Sequence, residues 1–147
     1  FSISLFNFVR PNDVNINAAV SNAKEVITFY YQKKLSQLTT TIKEISRERM
    51  QGNIKEKKIT ALTLNSIINN SKFKGRKIDF LNIDLEGAEL SALKSLDFNI
   101  YKPRLICVEI IEKDINNSKI FKFLNNLKYE LIWSSKSKIN HLFQKTN

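Results

Sequence analysis

Ile78-Asp79-Phe80-Leu81-Asn82-Ile83-Asp84-Leu85-Glu86-Gly87-Ala88-Glu89 is the stretch whose reading decides the fold. Residues 78–84 are dense in apolar side chains, which predicts a strand buried on both faces of a parallel sheet. Gly87 marks a turn where the backbone needs positive φ or a close approach. Residues 86–96 then place Ala88, Leu90, Ala92, Leu93 and Leu96 on one helical face. Glu86 and Glu89 fall in the first turn, where the helix dipole favours acids. Strand, glycine turn and helix together begin an α/β alternation.

The alternation continues on both sides. Downstream, Pro103 leads into a second apolar strand over 105–111, and a helix is expected over 116–127. Tyr129 to Trp133 and Ile139 to Phe143 predict two closing strands, able to form an antiparallel edge. Upstream, Lys57 to Leu62 predicts a short strand, and Thr63 is the N-cap of the helix that follows. Residues 14–20 and the β-rich run Glu25 to Tyr31 predict two more strands, and the short gap between them suits a hairpin. Pro11 pushes Arg10 out of the helical region, so 10–13 is a turn. Residues 2–9 show only a short helical spacing, and 32–56 read as an exposed loop with one helical turn.

Bulk composition narrows the class. A chain of 147 residues, 42% hydrophobic and 10% aromatic, suits one domain with a core. The net charge of +10 comes more from Lys than from Arg and is spread along the chain. It forms no stripe and accompanies no nucleic-acid motif, so it reads as a solvated surface, and no nucleic-acid partner is expected. The single cysteine, Cys107, rules out an internal disulfide and reads as a small core residue; a cytoplasmic location is expected. No apolar run is long enough to span a membrane. His141 has no Cys or second His at ligand spacing, so no metal is assigned. Trp133 and Phe29-Tyr30-Tyr31 read as packing residues.

Ligands in open α/β sheets bind beyond the carboxyl ends of the strands, where Asp84 and Glu86 lie. Glu109 sits near the end of the next strand, and neighbouring strands run roughly 5 Å apart. Asp84, Glu86 and Glu109 are therefore expected to converge. Such a cluster takes a proton from a hydroxyl, holds a cation or orients a polar substrate. Asp84 also reads as a helix cap, and Glu89 as a structural or solvated residue. Glu109 lies in an apolar strand, and a buried carboxylate needs a partner.

Asp-Leu-Glu-Gly-Ala-Glu-Leu at 84–90, inside 78–94, resembles the signature of FkbM-type methyltransferases. So does the Pro-led strand that follows, Lys102-Pro103-Arg104-Leu105-Ile106-Cys107-Val108-Glu109. Arg10-Pro11 and Asn17-Ala18-Ala19-Val20-Ser21 are similar to that family's third strand, and 59–68 to the segment before its signature strand. The resemblance implies an α/β class I methyltransferase (Rossmann-like) sheet, mostly parallel with an antiparallel closing edge. It implies S-adenosylmethionine as methyl donor and a hydroxyl on a sugar, glycolipid or secondary metabolite as acceptor. It also implies that Asn17, Ala18 and Ala19 lie near the adenine, and that Asp84 and Glu86 lie near the sulfonium and the incoming hydroxyl; Glu109, from the carboxylate cluster above, is expected to meet the substrate.

The sequence departs from the family pattern in two respects. Gly52, Gly75 and Gly87 make no Gly-x-Gly element, and no acidic residue follows a second strand to hold a ribose. The chain is therefore expected to be one partial domain over 1–147, lacking the first two strands and the cofactor loop. Alone, it is expected to fold weakly or to aggregate, because the strand at 78–84 would have a bare edge. Two other functions stay open at this level: a truncated, non-catalytic domain that acts only in association, and a basic anion-binding module.

Overall fold

The computed structural model describes residues 2–32 and 40–146. The elements, in chain order, are α1 (Ser2–Val9), β1 (Ala19–Val20), β2 (Glu25–Tyr31), α2 (Lys43–Arg49), β3 (Lys55–Leu62) and α3 (Leu64–Asn69), followed by β4 (Phe80–Ile83), α4 (Glu89–Lys94), β5 (Leu105–Glu109), α5 (Lys119–Asn126), β6 (Tyr129–Ser134) and β7 (Asn140–Lys145). A single 3₁₀ turn, Ile115–Asn117, precedes α5. The chain is thus α/β, with two mixed sheets. One has the order β1-β3-β2 and the other β4-β5-β7-β6.

The expectation of a mostly parallel sheet is corrected. β1 with β3 and β4 with β5 are parallel, while β2–β3, β5–β7 and β6–β7 are antiparallel. The antiparallel closing edge is present, formed by β6 and β7. The hairpin expected between 14–20 and 25–31 does not form. β3 inserts between them, pairing Ala19 with Ala61 in parallel and Glu25 with the same Ala61 in antiparallel. Only Ala19–Val20 of the first stretch is strand, because β1 meets β3 over only two residues. Past that point β2 and β3 run on as a two-stranded ribbon, from Val26↔Thr60 to Tyr31↔Lys55. Its outer reach exposes Lys55, Lys57 and Lys58, so this part of the basic charge is solvated.

The core lies under the second sheet. Ile83 of β4, Ile106 and Val108 of β5 and Phe143 of β7 point to one face, where Ala92 and Leu93 of α4 and Ile120 and Leu124 of α5 cover them. Ile120 and Leu124 are four apart, so one helical face carries both. Ser118 caps α5 by accepting from the Phe121 N–H at 2.9 Å. Phe98 stacks edge-on to Phe123 and Tyr129, at 5.8 and 6.0 Å between centroids. The buried Tyr129 hydroxyl donates to the Pro103 carbonyl at 2.7 Å, and burial pushes its pKa up to about 12.

β4 corrects a second expectation. It is an edge strand, and Phe80 is 55% exposed, so it is buried on one face only. Its other face carries Asn82 beside Cys107, which is half-buried and lies opposite the core face of β5. The helix after it starts at Glu89, not Glu86, and the strand of 105–111 stops at Glu109. Thr63 caps α3 as expected, accepting from the Ser66 N–H at 3.1 Å. In the span read as a loop, 33–39 lies outside the described residues. Beyond it, Thr40 is buried and bridges Tyr30, and α2 is a helix of two turns. Among the described residues no helix is long and apolar enough to cross a membrane.

Candidate active site

The turn after β4 is built by its own residues. Glu86 has φ 51° and Gly87 φ 102°, so the chain leaves the helical region for two residues before α4. Glu89, 3% exposed, accepts from the Leu85 N–H at 2.9 Å and the Gly87 N–H at 3.0 Å through one carboxylate oxygen. The carboxylate thus closes the turn from its C-terminal side, which gives Glu89 a structural role. From above, Thr40 donates its hydroxyl to the Glu86 carbonyl at 2.9 Å. Arg49, in the last turn of α2, forms an ion pair with the Glu86 carboxylate. Gly87 backs directly onto α2: a Cβ there would lie 2.6 Å from Ile45 Cδ1 and 2.7 Å from Ile42 Cδ1. The close approach that the glycine serves is to α2.

Asp84, Glu89 and Glu109 bring carboxylate oxygens within 4.8 Å of one another. The convergence expected for Asp84, Glu86 and Glu109 is therefore modified. Glu86 is held by Arg49, and Glu89 completes the tight trio. Glu109 Oε2 is buried and, among the described residues, has no hydrogen-bond partner. Burial raises the Glu109 pKa, and the charges of Glu86, Asp84 and Glu89 raise it further, against a lowering by Arg49. Three carboxylates at this spacing have the donor set of a hard cation, or of a site that shares a proton. Burial, followed by the Asp84 charge, also raises the pKa of the Cys107 thiol.

Two cavities flank the turn. Cavity one, about 290 Å³, is lined by Ala18, Ala19, Phe29 and Thr40 on one side and by Asp84 and Glu86 on the other. The turn after β4 and the β1 segment therefore share one space. Asn17 is exposed and does not line it. Cavity two, about 300 Å³, lies beyond Gly87 and is lined in part by Glu89 and Glu109. Ser91 of α4 ties the first sheet to the second here, accepting from the Asn22 N–H at 3.0 Å.

From the sequence, the α2 span reads only as one helical turn within an exposed loop, and the structure makes it a docked helix of two turns. The signals were present, with Ile42 and Ile45 at helical spacing, Glu44 in the first turn and Arg47 and Arg49 in the last. His141, set aside as a ligand, is buried, hydrogen-bonded to Ser134 and near the Lys138 carbonyl. Burial is the largest influence on its pKa and lowers it.

Comparison with known proteins adds one positive result. The methyltransferase FkbM domain matches residues 2–131. No curated protein and no solved structure matches the chain. A match over nearly the whole length, with the turn of the signature segment built as described, carries the conclusion that this chain belongs to the FkbM methyltransferase family.

Proposed function

We propose that the methyltransferase domain of which this chain is part transfers a methyl group from S-adenosylmethionine to a hydroxyl oxygen on a sugar, glycolipid or secondary metabolite. The observation that carries this reading is cavity one, where Ala18 and Ala19 face Asp84 and Glu86 across a single space. The small alanine side chains leave room for a flat ring, and two carboxylates suit a cationic centre such as a sulfonium. About 290 Å³ stands at the lower end of ligand-pocket sizes, roughly 300 Å³. The residues present therefore fit the sulfonium end of that cofactor. When bound, the cofactor supplies an electrophilic methyl group.

The remaining steps belong to this chain's own residues. Asp84 is exposed to cavity one and takes the proton of the attacking hydroxyl, or orients that hydroxyl. Arg49 fixes the Glu86 carboxylate beside the same space. Glu109 orients the acceptor from the far side of the carboxylate trio. Ala18 and Ala19 form the adenosyl side, with Asn17 next to them in the chain.

The test is transfer of a labelled methyl group from S-adenosylmethionine to a panel of hydroxyl acceptors. Asp84→Asn should lower the rate by about a hundredfold or more, the usual worth of a positioned general base. Unchanged turnover would remove Asp84 from the mechanism. Calorimetry with S-adenosylmethionine separates this reading from a non-catalytic domain, which should show no binding.

A further inference from the structure

Cavity two differs from cavity one in chemistry. Its walls are Ile42, the N-cap of α2, Ile45 of α2, Leu90 of α4, Ile111 just after β5 and Ile120 of α5. Its carboxylates are Glu89, Glu109 and Glu112, with Lys119 at the same wall. No residue lines both cavities. The two spaces nevertheless meet chemically, because Asp84 of cavity one lies within 4.8 Å, oxygen to oxygen, of Glu89 and Glu109 of cavity two. Glu109 Oε2 is a buried acceptor with no donor among the described residues.

We infer that cavity two holds the acceptor molecule, and that this acceptor has an apolar body and a neutral hydroxyl head. This rests on the methyl-transfer reading above. A sugar ring carries hydroxyls all round, and five aliphatic side chains would leave most of them unpaired at a cost of roughly 1–3 kcal/mol each. An anionic head would meet three carboxylates and one lysine. An alcohol satisfies both demands: its hydroxyl donates to Glu109 and its hydrocarbon body packs on the isoleucines. The hydroxyl then sits beside the Asp84 carboxylate, at the boundary with cavity one. Within the range of glycolipids and secondary metabolites, the geometry favours lipid-like alcohols over free sugars.

The experiment is a titration of the whole chain, labelled in isoleucine δ1-methyls and backbone amides, followed by NMR. The probes are 1-octanol, methyl β-glucoside and S-adenosylmethionine. 1-Octanol should shift the methyls of Ile42, Ile45, Ile111 and Ile120, and methyl β-glucoside should not. The octanol shifts should persist when S-adenosylmethionine has saturated the amides of Ala18 and Ala19. Ile111 is 47% exposed, so Ile111→Asn should keep the fold and weaken octanol by about tenfold. Should that variant unfold, the wild-type titration still decides. The inference is overturned if methyl β-glucoside shifts the same four methyls as strongly, if octanol shifts none of them, or if the cofactor displaces octanol. Octanol binding without any cofactor effect on Ala18 and Ala19 upholds the apolar alcohol site and removes the methyl-transfer reading instead.

Discussion

Gly87→Ala tests how the turn after β4 is held. The substitution has two costs that can be separated. Its φ of 102° lies where residues with a Cβ are strained, a cost of about 1–3 kcal/mol. The new Cβ would also meet Ile45 Cδ1 at 2.6 Å and Ile42 Cδ1 at 2.7 Å, against about 3.5–4.0 Å for an ordinary carbon contact. Both atoms are the ends of flexible side chains, so the clash relaxes by rotation at about 0.5–1.5 kcal/mol for each displaced side chain. The backbone and steric costs are therefore of similar size, and the sum is about 2–6 kcal/mol. That is a large part of the 5–15 kcal/mol usual for a domain. Urea unfolding of wild type, Gly87→Ala, Ile45→Ala and the double variant measures both parts. In the Ile45→Ala background the glycine substitution should cost about 1 kcal/mol less, and no more than that. A Gly87→Ala variant within about 0.5 kcal/mol of wild type would refute the reasoning, as would full recovery in the double variant.

Two further variants probe the charges around the turn. Arg49→Gln should change stability by less than about 1 kcal/mol, because the Arg49–Glu86 pair is about one-third to one-quarter exposed, yet should cut methyl transfer by about tenfold by freeing Glu86; loss of stability in step with activity would count against a positioning role. Glu109 has a folded-state pKa raised above its ordinary 4.5, so its contribution to stability is full below pH 4.5 and is lost as pH rises through the folded value. Glu109→Gln should remove that decline, measured as unfolding free energy from pH 4 upward, and parallel curves for the two proteins would show that the carboxyl does not titrate with folding.

Local patterns carried most of the fold. The run Glu25 to Tyr31 announced β2 by its β-branched and aromatic residues, and Thr63 announced α3 by its hydroxyl. The errors arose where a partner distant in sequence decides. Nothing near Ala19 says that Ala61 will lie beside it, so a hairpin looked natural where β3 intervenes. Phe80 and Leu81 are apolar, yet burial depends on what covers each face, and Phe80 has little over it. Glu86 looked like a first-turn acid because spacing does not reveal φ, whereas Gly87 next to it was the available warning. At the site, Asp84 and Glu109 were legible as strand-end carboxylates. Arg49 was not, because a charged run such as Lys43 to Arg49 usually faces water, and here only the Ile42 and Ile45 pair signals a docked face.

The two sheets have separate backbone ladders, and the side chains of Ser91 and Thr40 are what fasten one to the other near cavity one. The walls of that cavity consequently stand on two platforms joined by these polar links and by Val20, which packs against the core of the second sheet, with no shared strand between them. Its width is then set by side-chain contacts and by no backbone ladder. A substitution at the Asn22–Ser91 link, which touches no ligand, would retune the aperture as a hinge pin sets the gap of a door.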